Sequence, residues 1–487
     1  MQTMSAATPF HFVTVGTSPE LVRHLWDPIT EGSRFRFSHI VHPSFDRASW
    51  HDMSVRSEKH FFVDQGRIRM PAPDRAFLSS LEREGVPTIH NMILSDRVVS
   101  KLPYEEALGY ATFLAKRLMD VIGRLQPMAV IGGFDAVHGS LALAVAKKMA
   151  IPWYALHFSV IPEGFACFCD QASPSARVLL EGDSAAEKET LASKALQQFE
   201  AREIVAPAYV VRTQHSLSGR LAKMASRLST LSRMLRGAPA QRLLRYTEPR
   251  SKNSVASAVL FLGHAARARK AVTRWASVAK PPSDPYVLFG LHMQPESSID
   301  VWAPFYSNQI WVIELLSRSI PPTHKLLVKI HKSDTANYSS REIRKMSDLP
   351  GVDLIAPFAD ARRFIENADL IILIQGTMGL EAALLGKPVI MLGQSPFTLF
   401  PSVAQLGEIT ELPTLVRKKL HEPRPARNSI LKSYAEYLGP FAPASANDWA
   451  GDRKTVEIEN YRRLFDRLRE HIVTKAGSFA ESDQASI

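Results

Sequence analysis

Residues 369–393, DLIILIQGTMGLEAALLGKPVIMLG, leave few folds open to the chain. The apolar run Leu370–Ile374 has the length and branching of a buried strand. Gln375, Gly376 and Thr377 make a small polar turn. Met378–Leu385 reads as a helix stopped by Gly386, and Val389–Leu392 as a second strand. Strand, helix and strand with such short joins build a parallel sheet. In that kind of sheet, a glycine turn that ends a strand and opens a helix is where anionic ligands sit. Backbone N–H groups and the positive helix end both face the ligand there. Glu381 follows Thr377 by one helical turn, so both overlook the same mouth. Phosphate at the turn and ribose hydroxyls on the carboxylate would make a nucleotide site. The same residues also fit an ordinary strand–helix–strand unit with Glu381 in water.

The pattern recurs along the chain. Strands are expected at His11–Val15 and Phe35–Val41. A βαβ unit is expected over residues 127–157, with strand Ala129–Ile131, the turn Gly132-Gly133, a helix from about His138 to Met149 and strand Trp153–His157. After Pro281, Pro282 and Pro285, further strands fall at Tyr286–Phe289, Leu326–Ile330 and Val352–Ile355, ahead of the two in the opening block. A chain of 487 residues is too long for one ordinary core. The expected organisation is a first α/β domain at 1–200, a helical segment at 201–280, a second α/β domain at 281–440, and a charged helix with a frayed tail at 441–487.

Charge separates the middle from the rest. Between Arg212 and Lys280 there are fifteen Lys and Arg against one acid, Glu248, a net of +14. The whole chain carries +11, so 11 less 14 leaves −3 for everything else. Within that segment Leu217, Leu221, Met224, Leu228, Leu231 and Leu235 recur at helical spacing beside Arg220, Lys223 and Arg227. Such a helix either packs its leucines on a neighbour or lies on an anionic membrane surface. Nucleic acid is disfavoured as a partner, because Tyr246, Phe261 and Trp275 are scattered rather than clustered for base stacking. No apolar run is long enough to span a membrane. The opening MQTMSAATPFHF has no basic start before an apolar core, so a secretory signal is not expected. Cys167 and Cys169, the only cysteines, make neither a disulfide framework nor a metal site and read as thiols of a reducing cytoplasm.

Two further clusters join the opening block. Leu291-His292-Met293-Gln294-Pro295-Glu296 follows strand Tyr286–Phe289, and Lys329-Ile330-His331-Lys332 ends the next strand. With parallel strands, all three clusters emerge at one sheet edge. Cationic side chains, helix N-terminal amides and a carboxylate together suit a nucleoside mono- or diphosphate. On these residues, 286–393 resembles the C-terminal half of glycosyltransferases of the GT-B fold in the bacterial capsular polysaccharide biosynthesis family. The carrying motifs are LHMQPE, the KIH strand end and QGTMGLEAALLGKPVIMLG. Residues 127–157 are similar in style to a GT-B acceptor domain.

The resemblance implies two Rossmann-like domains facing a cleft, with the basic helical insertion between them. It implies a nucleotide-sugar donor and a capsular or lipopolysaccharide-type polysaccharide, or its lipid-linked glycolipid precursor, as acceptor. His331, helped by Lys329, would contact the donor phosphate. Gln375, Gly376 and Thr377 would form the phosphate turn, and Glu381 would hold the ribose. Gln294 and Glu296 would face the transferred sugar, with His292 beside them. Relatives using CMP-activated acidic sugars often carry His-Pro where this chain has His331-Lys332, which leaves the sugar and base open. No Asp-x-Asp motif occurs, so neither a metal nor another cofactor is expected; helix dipoles and cations would stabilise the leaving phosphate. The general base for the acceptor hydroxyl would come from Asp135, His138 or Glu163. His157 and His292 are expected to be satisfied polar residues near the cleft rather than catalysts, and Trp302, Phe305 and Trp311 to be core. Two other readings share the residues: a sugar-nucleotide 2-epimerase or polyol-phosphate transferase on the same fold, and a non-enzymatic polyanion or membrane adaptor. The expected location is the cytoplasm, peripheral to the inner face of the membrane.

Overall fold

The computed structural model describes residues 9–17, 21–41, 60–62, 71–96, 98–133, 136–204, 266–294, 296–332, 338–445 and 457–484. Asp135 and the leucine stripe Leu217–Leu235 lie outside the described residues. The chain divides into two compact units.

The first unit holds β1 (Phe10–Val15), β2 (Phe35–Val41), β3 (His60–Phe62), helix α1 (Tyr104–Leu125), β4 (Ala129–Gly132), α2 (Ala136–Lys148), β5 (Trp153–Phe158) and β6 (Phe165–Cys169). A short strand, Ala442–Pro443, and the C-terminal helix Ile458–Gln484 also belong to it. The sheet order is Ala442–Pro443, β6, β5, β4, β1, β2, β3. Strands β1 to β5 pair in parallel, and β6 runs antiparallel to β5. Leaving aside the added edge strand, this is the 3-2-1-4-5-6 order of a doubly wound sheet. One face is covered by α1 and α2, whose Leu114, Leu118, Ile122 and Leu141 are sealed from water. The other face is covered by the C-terminal helix. Its Tyr461, Leu464, Phe465 and Leu468 are buried at helical spacing, and the Phe465 ring meets those of Phe12, Phe37, Trp26 and Phe168 at 5.3–5.8 Å. The tail expected to be an appended charged helix is therefore half of a core.

The second unit holds α3 (Ala185–Glu200), β7 (Tyr286–Gly290), α4 (Gln309–Ser319), β8 (Lys325–Lys329), α5 (Ser340–Ser347), β9 (Val352–Ile355), α6 (Ala361–Asn367), β10 (Leu370–Leu373), α7 (Thr377–Leu384), β11 (Val389–Met391), β12 (Val403–Gln405), α8 (Leu412–Leu420) and α9 (Arg427–Leu438). All six strands are parallel, in the order β12, β11, β10, β7, β8, β9, again the doubly wound arrangement. Every residue of β7 and β10 is buried, as expected of strands covered on both faces. Helix α3, placed by sequence at the end of the first domain, packs here instead. Arg427 makes two bonds to the Glu200 carboxylate, at 3.0 and 2.9 Å, and the Arg362 guanidinium lies 3.9 Å from the Phe199 ring centre. Residues 266–275 are helical, and Ala271, Val272 and Ala276 join the second core, so the far end of the basic stretch belongs to this unit. Among the described residues no helix is long and apolar enough to cross a membrane.

Candidate functional site

In a doubly wound sheet the ligand crevice opens where the strand order reverses, at the C-terminal ends of the two central strands. In the second unit these are β7 and β10, neighbours that diverge into oppositely directed connections. The segment leaving β7 carries His292, and the turn leaving β10 carries Gln375 and Gly376. The two touch. The His292 Nε2 lies 2.6 Å from the Gln375 carbonyl oxygen. A carbonyl only accepts, so this short contact takes Nε2 as the donor and leaves Nδ1 as the lone-pair nitrogen; the Gln375 N–H lies 3.2 Å from the same Nε2 and would be the donor in the other tautomer. Nδ1 is buried and has no hydrogen-bond partner among the described residues. Burial is the main reason that the imidazole pKa is pushed down to about 4, against the raising effect of the Gln375 carbonyl, so the ring is neutral at ordinary pH.

Gly376 has φ +97°, a backbone that side chains rarely adopt, and it caps the N-terminus of α7. A side chain here would also crowd the His292 ring, 3.2 Å from where its Cβ would lie. Thr377 is exposed and opens the helix, and Glu381 is half-buried one turn on. The Gly379 N–H turns back to the Gly376 carbonyl at 3.1 Å; the N–H groups of Thr377 and Met378, at the head of α7, have no intrahelical acceptor and lie at the positive end of the helix dipole. The Gln375 side chain is turned away, donating from Nε2 to the Gln394 carbonyl. Burial lifts the Glu381 carboxyl to about 7; the Arg362 charge opposes this and the Asp360 charge adds to it.

The strand-end cluster of β8 divides into two roles. The Lys329 ammonium is buried and donates to the carbonyls of Ile330 at 3.2 Å and Pro357 at 2.5 Å. One of these bonds ties the ammonium to its own strand end at Ile330 and the other to the β9–α6 connection at Pro357. Burial, with the Lys332 charge nearby, lowers its pKa to about 8. His331 is half-buried, its pKa lowered by burial and then by Lys329 and Lys332. Gln294, expected to face a sugar, has its Oε1 and Nε2 both engaged within the protein. Glu296 is exposed, and its N–H donates to Asp300 Oδ2 at 3.0 Å. Phe305 is 91% exposed and Trp311 39%. The expectation that they are core residues is therefore corrected: Phe305 sits on a single helical turn, Pro304–Tyr306, with no buried residue.

In the first unit, His138 lies in the first turn of α2, after β4. Its Nε2 would be 2.7 Å from a Cβ on Gly16, at the end of β1, where φ is +78°. It therefore stands at the order reversal of the first sheet, between β1 and β4. Glu163 is half-buried in the β5–β6 connection, at the same sheet edge. His157, at the end of β5, is kept neutral by burial and by Arg177, which lower its pKa to about 4. Cys167 and Cys169 are buried.

Three residues that matter here were not found from sequence. Gln309, at the start of α4, holds both backbone groups of His292. Asp300 receives the Gln294 amide and the Glu296 N–H. Asp96, fully buried, accepts from the N–H groups of Val98, Val99 and Val137 and so fixes the start of α2. Gln309 acts on a segment 17 residues away and Asp96 on one 41 residues away, which leaves no local spacing to read.

The sequence comparison with curated proteins finds no match. Solved structures align at low similarity. The UDP-GlcNAc 2-epimerase of Methanocaldococcus jannaschii with UDP-GlcNAc and UDP is 14% identical, with a TM-score of 0.29 over 88% of this chain and 98% of that one. KpsC of Thermosulfurimonas dismutans aligns twice. Its beta Kdo 2,4 transferase is 12% identical, TM-score 0.30, over 67% and 87% of the chains. Its beta Kdo 2,7 transferase is 12% identical, TM-score 0.32, over 73% and 90%. The model of the capsule polysaccharide biosynthesis proteins matches residues 155–407, more than half of the chain, and that span contains the whole crevice between β7 and β10. The chain belongs to the capsule polysaccharide biosynthesis family.

Proposed function

We propose that the protein is a glycosyltransferase that moves a sugar from a nucleotide-sugar donor to a capsular or lipopolysaccharide-type polysaccharide, or to its lipid-linked precursor. The observation that carries the reading is the crevice at the order reversal of the second sheet. A neutral buried histidine, a glycine turn, a free helix N-terminus and a carboxylate one turn in converge there. Their chemistry fits a nucleotide: amides of Gly376 and Thr377 for phosphate oxygens, Glu381 for ribose hydroxyls, and His331 for the phosphate next to the breaking bond. The family membership supports polysaccharide synthesis as the setting.

In the reaction the acceptor hydroxyl attacks the anomeric carbon. The bond to the donor phosphate breaks, and the hydroxyl proton passes to a base. His138 and Glu163, at the C-terminal edge of the first sheet, are the proposed bases, with Asp135 as the third candidate. The negative charge that develops on the leaving phosphate is met by the α7 dipole and by the cations of the β8 end, and no metal is assigned a role. Through residues 212–280 the protein would sit at the inner, anionic face of the cytoplasmic membrane.

The test is a thermal-shift screen with CMP, UDP, GDP and CDP, followed by transfer assays with the matching activated sugars in the presence and absence of EDTA. One nucleotide should raise the melting temperature by mass action. Glu381→Ala and His331→Ala should lose about 100-fold or more in transfer while still folding. Wild-type turnover in both variants would refute the assignment. Sugar isomerisation without any acceptor would point to an epimerase instead, and activity lost to EDTA would remove the metal-free step.

A further inference from the structure

The shape of the proposed donor site depends on a side chain that lies outside it. Gln309 is buried at the first position of α4. Its Oε1 accepts the His292 N–H at 2.8 Å, and its Nε2 donates back to the His292 carbonyl at 3.0 Å. One amide thus pairs with both backbone groups of a single residue, as a neighbouring strand would. It does so where the chain has left β7 and has no strand partner to satisfy it. The same Nε2 lies 2.9 Å from Gln294 Oε1 and 3.1 Å from the Tyr338 hydroxyl. Gln294 passes the hold on, donating from Nε2 to Asp300 Oδ1 at 3.0 Å, and Asp300 Oδ2 takes the Glu296 N–H. At the other end, the imidazole of the residue so held donates to Gln375, 2.6 Å away on the turn that carries Gly376. A chain of hydrogen bonds therefore runs from α4 through His292 to the phosphate turn.

We infer that Gln309 is a positioning residue for the donor site, acting through His292, with Asp300 completing its hold on the segment from Gln294 to Glu296. The inference rests on the donor-site reading above. Its physical basis is the expense of unmade bonds. With an apolar side chain at position 309, the N–H and C=O of His292 would be buried unpaired, which costs more than the bonds themselves contribute. The segment would shift to find partners or water, and the imidazole would leave the Gln375 carbonyl. Amides aimed at a phosphate lose most of their value when displaced by about an ångström.

The experiment is a double-mutant cycle on the full-length protein. Affinities for CMP, UDP, GDP and CDP are measured by calorimetry for the wild type, Gln309→Leu, His292→Ala and the double variant, with the thermal transition of each as the check on folding. Gln309→Leu should weaken binding about tenfold. In the His292→Ala background the same change should cost less than about threefold, because the residue through which it acts is already gone. A merely structural role would lower the melting temperature and leave the two affinity losses additive. Full additivity, or wild-type affinity in a folded Gln309→Leu protein, overturns the inference while leaving the donor site in place. If Gln309→Leu does not fold, Asp300→Asn takes its place: loosened binding supports the chain of bonds, and unchanged binding breaks it. A wild type that binds none of the four nucleotides removes the donor-site reading and this inference with it.

Discussion

Glu381 is the residue whose chemistry is most exposed to measurement. Its carboxyl sits on the first turns of α7, and burial holds it at about 7 even with the Arg362 charge pulling the other way. In the unfolded chain it titrates near the ordinary glutamate value of 4.5. Between those two values the folded protein keeps a proton that the unfolded chain has lost. The residue's contribution to stability is therefore fully present below about pH 4.5, falls as pH rises toward about 7, and is absent above that. Compared with Glu381→Gln, the unliganded wild type should lose on the order of 1–3 kcal/mol between pH 5 and pH 8. Urea unfolding of both proteins at the two pH values measures this, and parallel curves would mean that the carboxyl is solvated. The sequence revealed that Glu381 shares a mouth with Thr377, because helical spacing fixes it. It did not reveal how far the carboxyl titration is shifted, because Arg362 and Asp360, whose charges act on it, come from another connection. The anchoring of Lys329 escaped the sequence for a related reason: one of the two carbonyls that take its ammonium, on Pro357, is 28 residues away.

Among the elements, α2 and the C-terminal helix show two ways in which distant residues decide a structure. Helix α2 carries His138, and its first turn is held by Asp96, which is 41 residues from Val137 in the chain. The Asp96 carboxylate takes three backbone N–H groups in a site closed to water. Asp96→Ala should therefore cost about 2–4 kcal/mol, more than an exposed cap, since the amides left behind are buried. Asn at the same place should recover part of the loss. Chemical denaturation gives both numbers, and a cost under about 0.5 kcal/mol would show that water replaces the carboxylate. The C-terminal helix contributes Phe465, whose ring is enclosed by the aromatic side chains of β1, β2 and β6. Phe465→Ala should cost about 3–5 kcal/mol, the price of a large cavity. The strands of both sheets were legible because apolar runs bounded by Gly and Pro are a local signal. The weight of this helix was not, because its charged outer face dominates its composition and its buried stripe has meaning only against a sheet formed 400 residues earlier. β12, with three residues, was missed for lack of length.

At the scale of the whole molecule, neither unit is a single stretch of sequence: the second takes Ala185–Glu203 and Asn253–Leu438, and the first resumes at Gly439 after them. A boundary drawn from composition, at the prolines near residue 281, separates β7 from α3, the helix on which its unit depends. Ala192, Ala195, Leu196 and Phe199 of α3 are buried. Glu200 binds Arg427 of α9, and Arg202 binds Glu366 of α6 at 2.5 Å. The exposed ion pairs contribute little by themselves; the apolar stripe carries the attachment, at about 1.5–3 kcal/mol for each large side chain buried. Two fragments distinguish the sequence boundary from the structural one. Residues 185–438 should fold cooperatively and retain the thermal shift with the nucleotide that the full chain binds. Residues 253–438, which lack α3, should melt at least about 5 °C lower or fail to fold, as the loss of several kcal/mol from a domain of this size requires. Circular dichroism melts of the two fragments decide the matter. Equal melting temperatures would mean that α3 is only tethered to this unit, and that Arg362, whose guanidinium lies over the Phe199 ring, owes its position to α6 alone.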